Sequence, residues 1–253
     1  MPRLSEFVRK TCAVLTGVLL YSAVYGEPHG EQGGQNDVPT SLQHCDMFVE
    51  QLMSADGDEI GYVNYCYREQ GAEIIREMSI NIRWAFYRYR LHSIDHAFYS
   101  SGGLQRLRSR IDENDSEVAF LLERSDQGWH LQSHYDAKRE SNVIAQAEHE
   151  VLDSRLFFRF LLSGKDKARF TVLDLDDFSV KDVDLYRVGK DLVKVANVQY
   201  SCEKIRVDTS AKNSVFCLME VNGRLFPLWE QGEDDGEAYL LSTKRLNLGA
   251  YKL

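Results

Sequence analysis

The sequence predicts an all-β domain: a highly curved antiparallel sheet or open barrel that wraps one helix. Several short segments alternate apolar and polar residues, which is typical of strands with one buried face. Turn-forming residues separate these segments at short, regular intervals, as in antiparallel sheets. Residues 142–162 are the one stretch with apolar residues near helical spacing, and Gly164 follows as a stop signal.

The clearest alternation lies in residues 72–86, although Ile75 and Arg76 interrupt it. After residue 86 the aromatic residues change parity, to Tyr87 and Tyr89. One extra residue inverts the facing of everything after it, so we expect a bulge or bend at residues 85–87. The residues on the apolar parity are Ala72, Ile74, Met78, Ile80, Ile82, Trp84 and Phe86.

Further short strands fill the rest of the chain. Asn222-Gly223 is the favoured two-residue hairpin turn between two of them. Because no internal repeat or linker interrupts the pattern, we expect one all-β domain over residues 44–253. The predicted strands are residues 94–99, 104–111, 116–124, 129–135, 170–175, 179–188, 192–207, 215–221, 224–230 and 238–243.

The first 26 residues have the pattern of an export signal. Arg3, Arg9 and Lys10 precede an uncharged run, residues 12–25, and small residues end it. The run is shorter than the roughly 20 residues needed to cross a bilayer, although an uncleaved anchor stays open as an alternative. Residues 27–43, rich in Gly, Gln and Asn, are expected to be a disordered lead-in. We therefore expect a periplasmic protein with no integral membrane span after cleavage.

Composition restricts the partners. The chain has 253 residues, 43% of them hydrophobic, which favours a folded domain over disorder. Its net charge of −9 argues against nucleic acid and anionic membrane surfaces as partners.

Four cysteines follow the signal segment, and four cysteines allow three pairings. Cys45 and Cys66 flank a predicted turn, and so do Cys202 and Cys217; such positions bring Cα atoms within disulfide distance. We therefore favour Cys45–Cys66 and Cys202–Cys217. A bond between the N-terminal strand and the C-terminal hairpin, or free buried cysteines, remain alternatives.

No motif in the sequence names a reaction, so we assign no catalytic, metal-binding or cofactor-binding residue and expect no enzyme. The pairs His92/His96 and His130/His134 would stand about 13 Å apart on strands, too far to share a metal. The carboxylates of residues 174–184 lack the glycine turn of a calcium loop.

An aromatic-rich set of residues has two interpretations. It is either the ordinary core of a curved sheet or the wall of an apolar ligand cavity that the helix closes. The candidate ligand-lining residues are Trp84, Phe86, Tyr87, Tyr89, Phe157 and Phe158.

Several segments carry a family resemblance. They are residues 87–92 (Tyr-Arg-Tyr-Arg-Leu-His), the turn at 99–104, residues 107–114, residues 172–174 and residues 219–225. Through these segments, residues 60–243 resemble an uncharacterised family of exported bacterial all-β proteins of unknown function. Ile111 occupies a position where Thr is common in that family. That family is similar in outline to the lipoprotein-carrier fold. The resemblance implies a curved sheet around a helix and transfers no catalytic residue.

The functional expectation is a non-enzymatic cell-envelope protein that binds an apolar, lipid-like ligand or a protein partner. A hydrolase of envelope polymers with paired carboxylates, or a structural adaptor without a cavity, are the alternatives. A carrier needs an apolar cavity, a hydrolase needs two acids in a cleft, and an adaptor needs an exposed apolar patch or sheet edge.

Overall fold

The computed structural model describes residues 45–249, except for residues 56, 85–86, 101–102, 115, 136–137, 147, 176–177, 210–212, 222–223 and 235–236. The predicted export signal, residues 1–26, and the predicted lead-in, residues 27–43, lie outside the described residues. Phe86 and the side chains of Trp84 and Tyr87 lie outside them as well. The boundaries of signal, lead-in and domain therefore stay predictions.

Fifteen strands and one helix make up the described part of the chain, which is all-β as the sequence predicts. The helix, α1, spans Ser154–Leu162 and lies between β9 and β10. The strands are β1 (Met47–Ala55), β2 (Asp58–Gln70), β3 (Glu73–Trp84), β4 (Tyr87–Ser100), β5 (Gly103–Glu113), β6 (Ser116–Ser125), β7 (Gly128–Tyr135), β8 (Lys138–Ala145), β9 (Glu150–Val151), β10 (Lys167–Leu173), β11 (Val180–Val195), β12 (Val198–Asp208), β13 (Asn213–Val221), β14 (Arg224–Asp234) and β15 (Glu237–Asn247).

These strands form a single sheet in the order β8-β7-β6-β5-β4-β3-β2-β1-β15-β14-β13-β12-β11-β10-β9. Neighbours in the chain are neighbours in the sheet, because short turns connect antiparallel strands. The first strand pairs with the last, since β1 lies antiparallel to β15. The short contact between β9 and β10 is parallel.

The sheet curls until its two edges are near each other. Its outermost strands are β8 and β9, yet only residues 146–149 connect them in the chain. A connection of that length reaches at most about 18 Å, whereas a flat sheet of this many strands would be about 65 Å wide. The described residues form no ladder between β8 and β9. The prediction of a highly curved, open sheet is therefore confirmed.

Helix α1 begins at a buried aspartate and is shorter than predicted. The Asp153 carboxylate accepts the N–H groups of Arg155 at 3.0 Å and Leu156 at 3.1 Å, which caps the helix. The predicted helical span of residues 142–162 is wrong in its first half. Residues 142–145 instead pair with β7 as part of β8, because cross-strand pairing overrides their weak helical spacing.

The apolar side of α1 packs on one stretch of the sheet. Phe157 and Phe160 are almost fully buried against side chains of strands β10–β14. The described contacts do not establish that the sheet wraps the helix, and that part stays a prediction. The sheet residues in this cluster are Val172, Val183, Leu185, Ile205, Val207, Phe216, Leu218 and Leu225.

The parity change near residue 86 is a hairpin and not a bulge. Strand β3 ends at Trp84, β4 begins at Tyr87, and these two residues pair directly. In a hairpin with two loop residues, even-numbered residues of one strand pair with odd-numbered residues of the next. Ile82 therefore pairs with Tyr89. The expected bend at residues 85–87 is therefore wrong, although the alternation that suggested it is correct.

Other boundaries also differ from the predicted ones. The predicted break at residues 189–191 does not occur, since β11 runs from Val180 to Val195. The predicted strand over residues 192–207 is wrong, because the chain turns at residues 196–197, between β11 and β12. Gly189 has φ 129° at a bulge in the pairing with β12, a conformation that suits glycine. Strand β8 was not predicted at all. Its polar start, Lys138-Arg139-Glu140, gives no apolar alternation.

The apolar interior divides into two clusters. The larger one takes buried side chains from every strand, and the smaller one holds α1. Adjacent residues of β10 belong to different clusters, with Val172 in the smaller and Leu173 in the larger. Phe216 and Cys217 of β13 divide in the same way. This half of the sheet therefore buries both faces.

Two disulfides tie neighbouring strands. Cys45 is bonded to Cys66 with Cα atoms 5.3 Å apart, which holds the start of β1 to β2. Cys202 is bonded to Cys217 with Cα atoms 5.4 Å apart, which holds β12 to β13. These are the two pairings that the turn positions favour.

Candidate functional site

A groove of about 610 Å³ crosses strands β3–β8. Directly opposed residues of an antiparallel ladder point to the same face, so rows of cross-strand neighbours form its wall. One row crosses five strands, and a second includes Arg106 and Glu123. The first row is His96, Arg108, Leu121, Gln132 and Ser141.

The groove combines an apolar floor with charged groups. Ala119 and Leu121, which lie on the same face of β6, supply apolar surface. At the rim, the His96 ring nitrogen Nδ1 lies 2.9 Å from the Glu73 carboxylate. The Arg106 guanidinium lies 5.8 Å from the centre of the exposed Phe98 ring, within cation–π range. Such a surface suits a ligand that is itself part apolar and part charged.

Strand β8, at one end of the groove, is a sheet edge. It pairs with β7 alone, and among the described residues no further backbone hydrogen bond reaches it. Its residues 141–143 are exposed and uncharged, and the Val143 side chain is 57% exposed. The charged residues of β8 are its first three, Lys138-Arg139-Glu140, so residues 141–143 leave this part of the edge without a charge or a proline, and such a segment is a template for another strand.

A second pocket, of about 390 Å³, lies where the two ends of the sheet meet. We call it the seam pocket. Its walls come from β5, the β6–β7 hairpin, β9 with the residue before it, and the first turns of α1. The lining residues are Gly103, Leu104, Arg124, Trp129, His149, Glu150, Val151, Asp153, Arg155, Leu156 and Arg159.

Asp153 is the perturbed acid of the seam pocket. It is only 4% exposed, and burial raises its pKa to about 7, against the opposing effect of the helix N–H groups that it accepts. The second acid, Glu150, is bound through both carboxylate oxygens by Arg159, at 2.7 Å for one of them. Each acid therefore already has a structural role, one as a helix cap and one in an ion pair.

A buried polar row crosses β2–β5 within the larger core. Arg76 and Asp95 are both fully buried and directly opposed on β3 and β4. The Arg76 Nε donates to Asp95 at 2.9 Å, and Ser109 donates to the other carboxylate oxygen. Burial acts against the charged guanidinium, yet Asp95 raises the pKa of Arg76. This row has no opening in either pocket, so we interpret it as part of the core.

Three of the candidate ligand-lining residues have described side chains, and they lie in two different clusters. Tyr89 packs in the larger cluster, whereas Phe157 and Phe158 belong to the helix cluster. None of these three lines the groove or the seam pocket. Phe86 and the side chains of Trp84 and Tyr87 lie outside the described residues.

Two of the histidines contact glutamates on the neighbouring strand β3. His92 lies 3.0 Å from Glu77, and His96 contacts Glu73. The described residues contain no group of three or more side chains placed to hold a metal ion.

The described acidic residues at positions 174–184 each contact a different partner. Asp174 pairs with Lys181 at 2.8 Å, and Asp182 accepts the Thr171 hydroxyl at 2.8 Å. Hydrogen bonds from Arg169 lower the pKa of Asp184.

Sequence reasoning missed the seam pocket. Asp153 carried a local signal, because Asp is a preferred residue immediately before a helix. Arg124, Trp129 and His149 carried no such signal, since they meet only when the sheet curls. Arg76 was visible as an exception to the alternation, but the sequence did not show that Asp95 lies opposite.

Comparison with known proteins gives a structural match without a sequence match. No family model and no curated protein matches the chain. A crystal structure of a beta-barrel-like protein of domain of unknown function DUF1849, from Brucella abortus, matches with a TM-score of 0.62. The alignment covers 79% of this chain and 96% of that one, at 8% identity.

The chain shares that barrel-like fold. The match confirms the resemblance to an all-β bacterial domain of unknown function, and at this identity it is a statement about fold. No helix in the described part of the chain has the length and apolar character needed to cross a bilayer.

Proposed function

We propose that this protein is a non-enzymatic cell-envelope protein that binds an extended segment of a protein partner along β8 and the adjoining groove. The main observation that supports this proposal is the open edge of β8, which lies beside a groove with an apolar floor and a charged rim. Strand addition to such an edge takes its affinity from backbone hydrogen bonds and its selectivity from side-chain pockets.

The geometry of β8 identifies the backbone groups that would bind the partner. Tyr135 and Lys138 flank a two-residue turn and pair with each other. Hydrogen-bonded and non-hydrogen-bonded pairs alternate from such a turn, so Ser141, opposite Gln132, directs its N–H away from β7. Ser141 and Val143 therefore offer the outward N–H groups, in the exposed uncharged part of the strand.

A lipid-like ligand has less support. The aromatic residues proposed to bind it, Tyr89 and Phe157, are 1% and 0% exposed and pack among other side chains. Both described pockets carry charged residues in their walls. For the hydrolase alternative, Glu150 and Asp153 share the seam pocket, but their ion pair and capping contacts favour a structural role.

The cell-envelope location is part of the proposal. It is supported by the signal-like residues 1–26 and by two disulfides, which persist in oxidising compartments. N-terminal sequencing of the protein purified from the periplasm should start near residue 27. An intact N-terminus on cytosolic protein would contradict this location.

Site-specific photo-crosslinking in cells tests the binding surface. A photoreactive residue replaces Val143, and the expected result is a discrete adduct with another protein. Ser141→Pro removes one outward N–H at a position where edge strands accept proline, so the adduct should disappear. Ser141→Ala, the matched control, keeps the N–H and should keep the adduct.

The other outcomes are decisive as well. A photoreactive residue at Val198, on the distant β11–β12 hairpin, should not give the same adduct. An adduct of two copies of this chain, a lipid adduct, or a protein adduct that persists in the Ser141→Pro variant would each refute the proposal. Circular dichroism of the purified Ser141→Pro variant checks that it has folded.

A further inference from the structure

The seam pocket is cationic within an acidic protein. The chain carries a net charge of −9, yet three arginines, Arg124, Arg155 and Arg159, line this one cavity. Among the described residues, the carboxylates in its wall are Glu150 and Asp153. The Arg159–Glu150 pair is neutral as a unit, and Arg124 and Arg155 add two further cationic groups to the wall.

Aromatic rings and backbone contacts hold these two arginines in position. The Arg124 guanidinium lies 5.7 Å from the centre of the Trp129 ring. Arg155 lies 5.8 Å from the centre of the Tyr99 ring and donates to the Ser100 carbonyl at 2.9 Å. Guanidinium groups held in place lose little freedom on binding, and they match the geometry of carboxylate and phosphate groups.

The remaining walls fit a compact organic anion. Trp129, 1% exposed, donates its indole N–H to the His149 carbonyl at 3.0 Å, which fixes the ring. Leu104, Val151 and Leu156 add apolar surface. A pocket of about 390 Å³ has room for a small molecule but is too small for a polypeptide segment.

The charge of the Asp153 carboxyl affects how strongly an anion can bind in the pocket. An ionised Asp153 would repel it, but burial raises the pKa of this carboxyl to about 7. An anion beside it favours the protonated form, so proton uptake and anion binding are coupled. The other charged or titratable groups in the pocket wall are Arg124, Arg155, Arg159, Glu150 and His149, and His149 accepts the Gln146 N–H through Nδ1.

We propose that the seam pocket binds a small molecule through a carboxylate or a tetrahedral oxyanion, which Arg124 and Arg155 hold. Protonation of the buried Asp153 carboxyl in the same pocket strengthens this binding. This site is separate from the groove and from β8. The interaction with a protein partner and the binding of the anion can therefore succeed or fail independently.

NMR titration of the folded protein with sulfate and with sodium acetate tests this proposal. Neither probe changes its charge between pH 6 and pH 8. The expected result is a saturable shift of the Trp129 indole N–H signal for at least one probe, which identifies the preferred kind of oxyanion. Arg124→Gln and Arg155→Gln should each weaken the affinity about tenfold, the usual scale for a lost charged contact. Arg110→Gln, on the exposed surface of β5, should leave it unchanged.

A substitution at Asp153 tests whether its protonation controls anion binding. The affinity of the unmodified protein should rise several-fold from pH 8 to pH 6. Asp153→Asn keeps the helix cap, because Asn caps as well as Asp, but it cannot ionise. This variant should bind more tightly than the unmodified protein at pH 8 and lose most of the pH dependence, whereas His149→Gln should retain it. The absence of a saturable Trp129 shift at 50 mM of either probe would refute the site. Equal affinity of the Arg124→Gln and Arg110→Gln variants would do the same.

Discussion

The buried Arg76–Asp95 pair allows a quantitative test of the core. Replacing Asp95 with Ala leaves the Arg76 guanidinium fully buried without its carboxylate partner and deprives Ser109 of its acceptor. Breaking one side of a buried ion pair costs about 3–5 kcal/mol of unfolding free energy. For a domain of this size that corresponds to a fall in Tm of roughly 6–20 °C.

The matched control removes both charges. The double variant Arg76→Met/Asp95→Leu fills similar volume without an ion, and such replacements are often neutral or stabilising. We expect it to recover most of the stability that Asp95→Ala loses. Urea unfolding followed by circular dichroism measures the unfolding free energy of the unmodified protein, the Asp95→Ala variant and the double variant.

The reasoning fails if Asp95→Ala costs less than about 1 kcal/mol, the value of an exposed pair. It fails equally if the double variant is as unstable as the single one, because the cost would then come from packing. An unchanged m-value across the three proteins is needed for the comparison to hold.

Three further predictions concern pH, backbone spacing and the disulfides. The pKa of Asp153 is raised in the native state, so between about pH 4 and pH 7 the native protein keeps a proton that the unfolded chain has released. The free energy of unfolding should therefore fall as the pH rises through this range, and Asp153→Asn should flatten this fall in urea unfolding curves. Gly61→Ala should cost at least about 2 kcal/mol, since a Cβ would lie 2.2 Å from the Asn81 carbonyl; normal thermal stability would contradict this. Replacing Cys202 and Cys217 with Ala opens a bond with a sequence separation of 15, which should cost about 3 kcal/mol; an unchanged Tm would contradict the bond.

The strands could be predicted because their signal is local. Period-two alternation identified the core residues Ile74, Met78, Ile80 and Ile82, all nearly inaccessible in the structure. Its errors were also local. The hairpin after Trp84 and the bulge at Gly189 both change the facing of later residues, and sequence parity does not distinguish one from the other.

The candidate site could not be predicted in the same way. Strand β8 lacks apolar alternation at its start, so neither the sheet edge nor the groove beside it was visible. The seam pocket needs Arg124, Trp129 and Asp153 to meet, and only curling of the sheet brings them together. Asp153 signalled a helix start, but nothing local indicated its burial or its raised pKa.

The sequence alone determined the all-β class, the turns and the favoured disulfide partners, because alternation, glycine turns and cysteine spacing act over a few neighbouring residues. Only the tertiary structure decided which strands became edges, which charges were buried together, and which side chains meet at the seam. Those properties depend on the accumulated twist and curvature of fifteen strands, and on contacts between residues far apart in the chain.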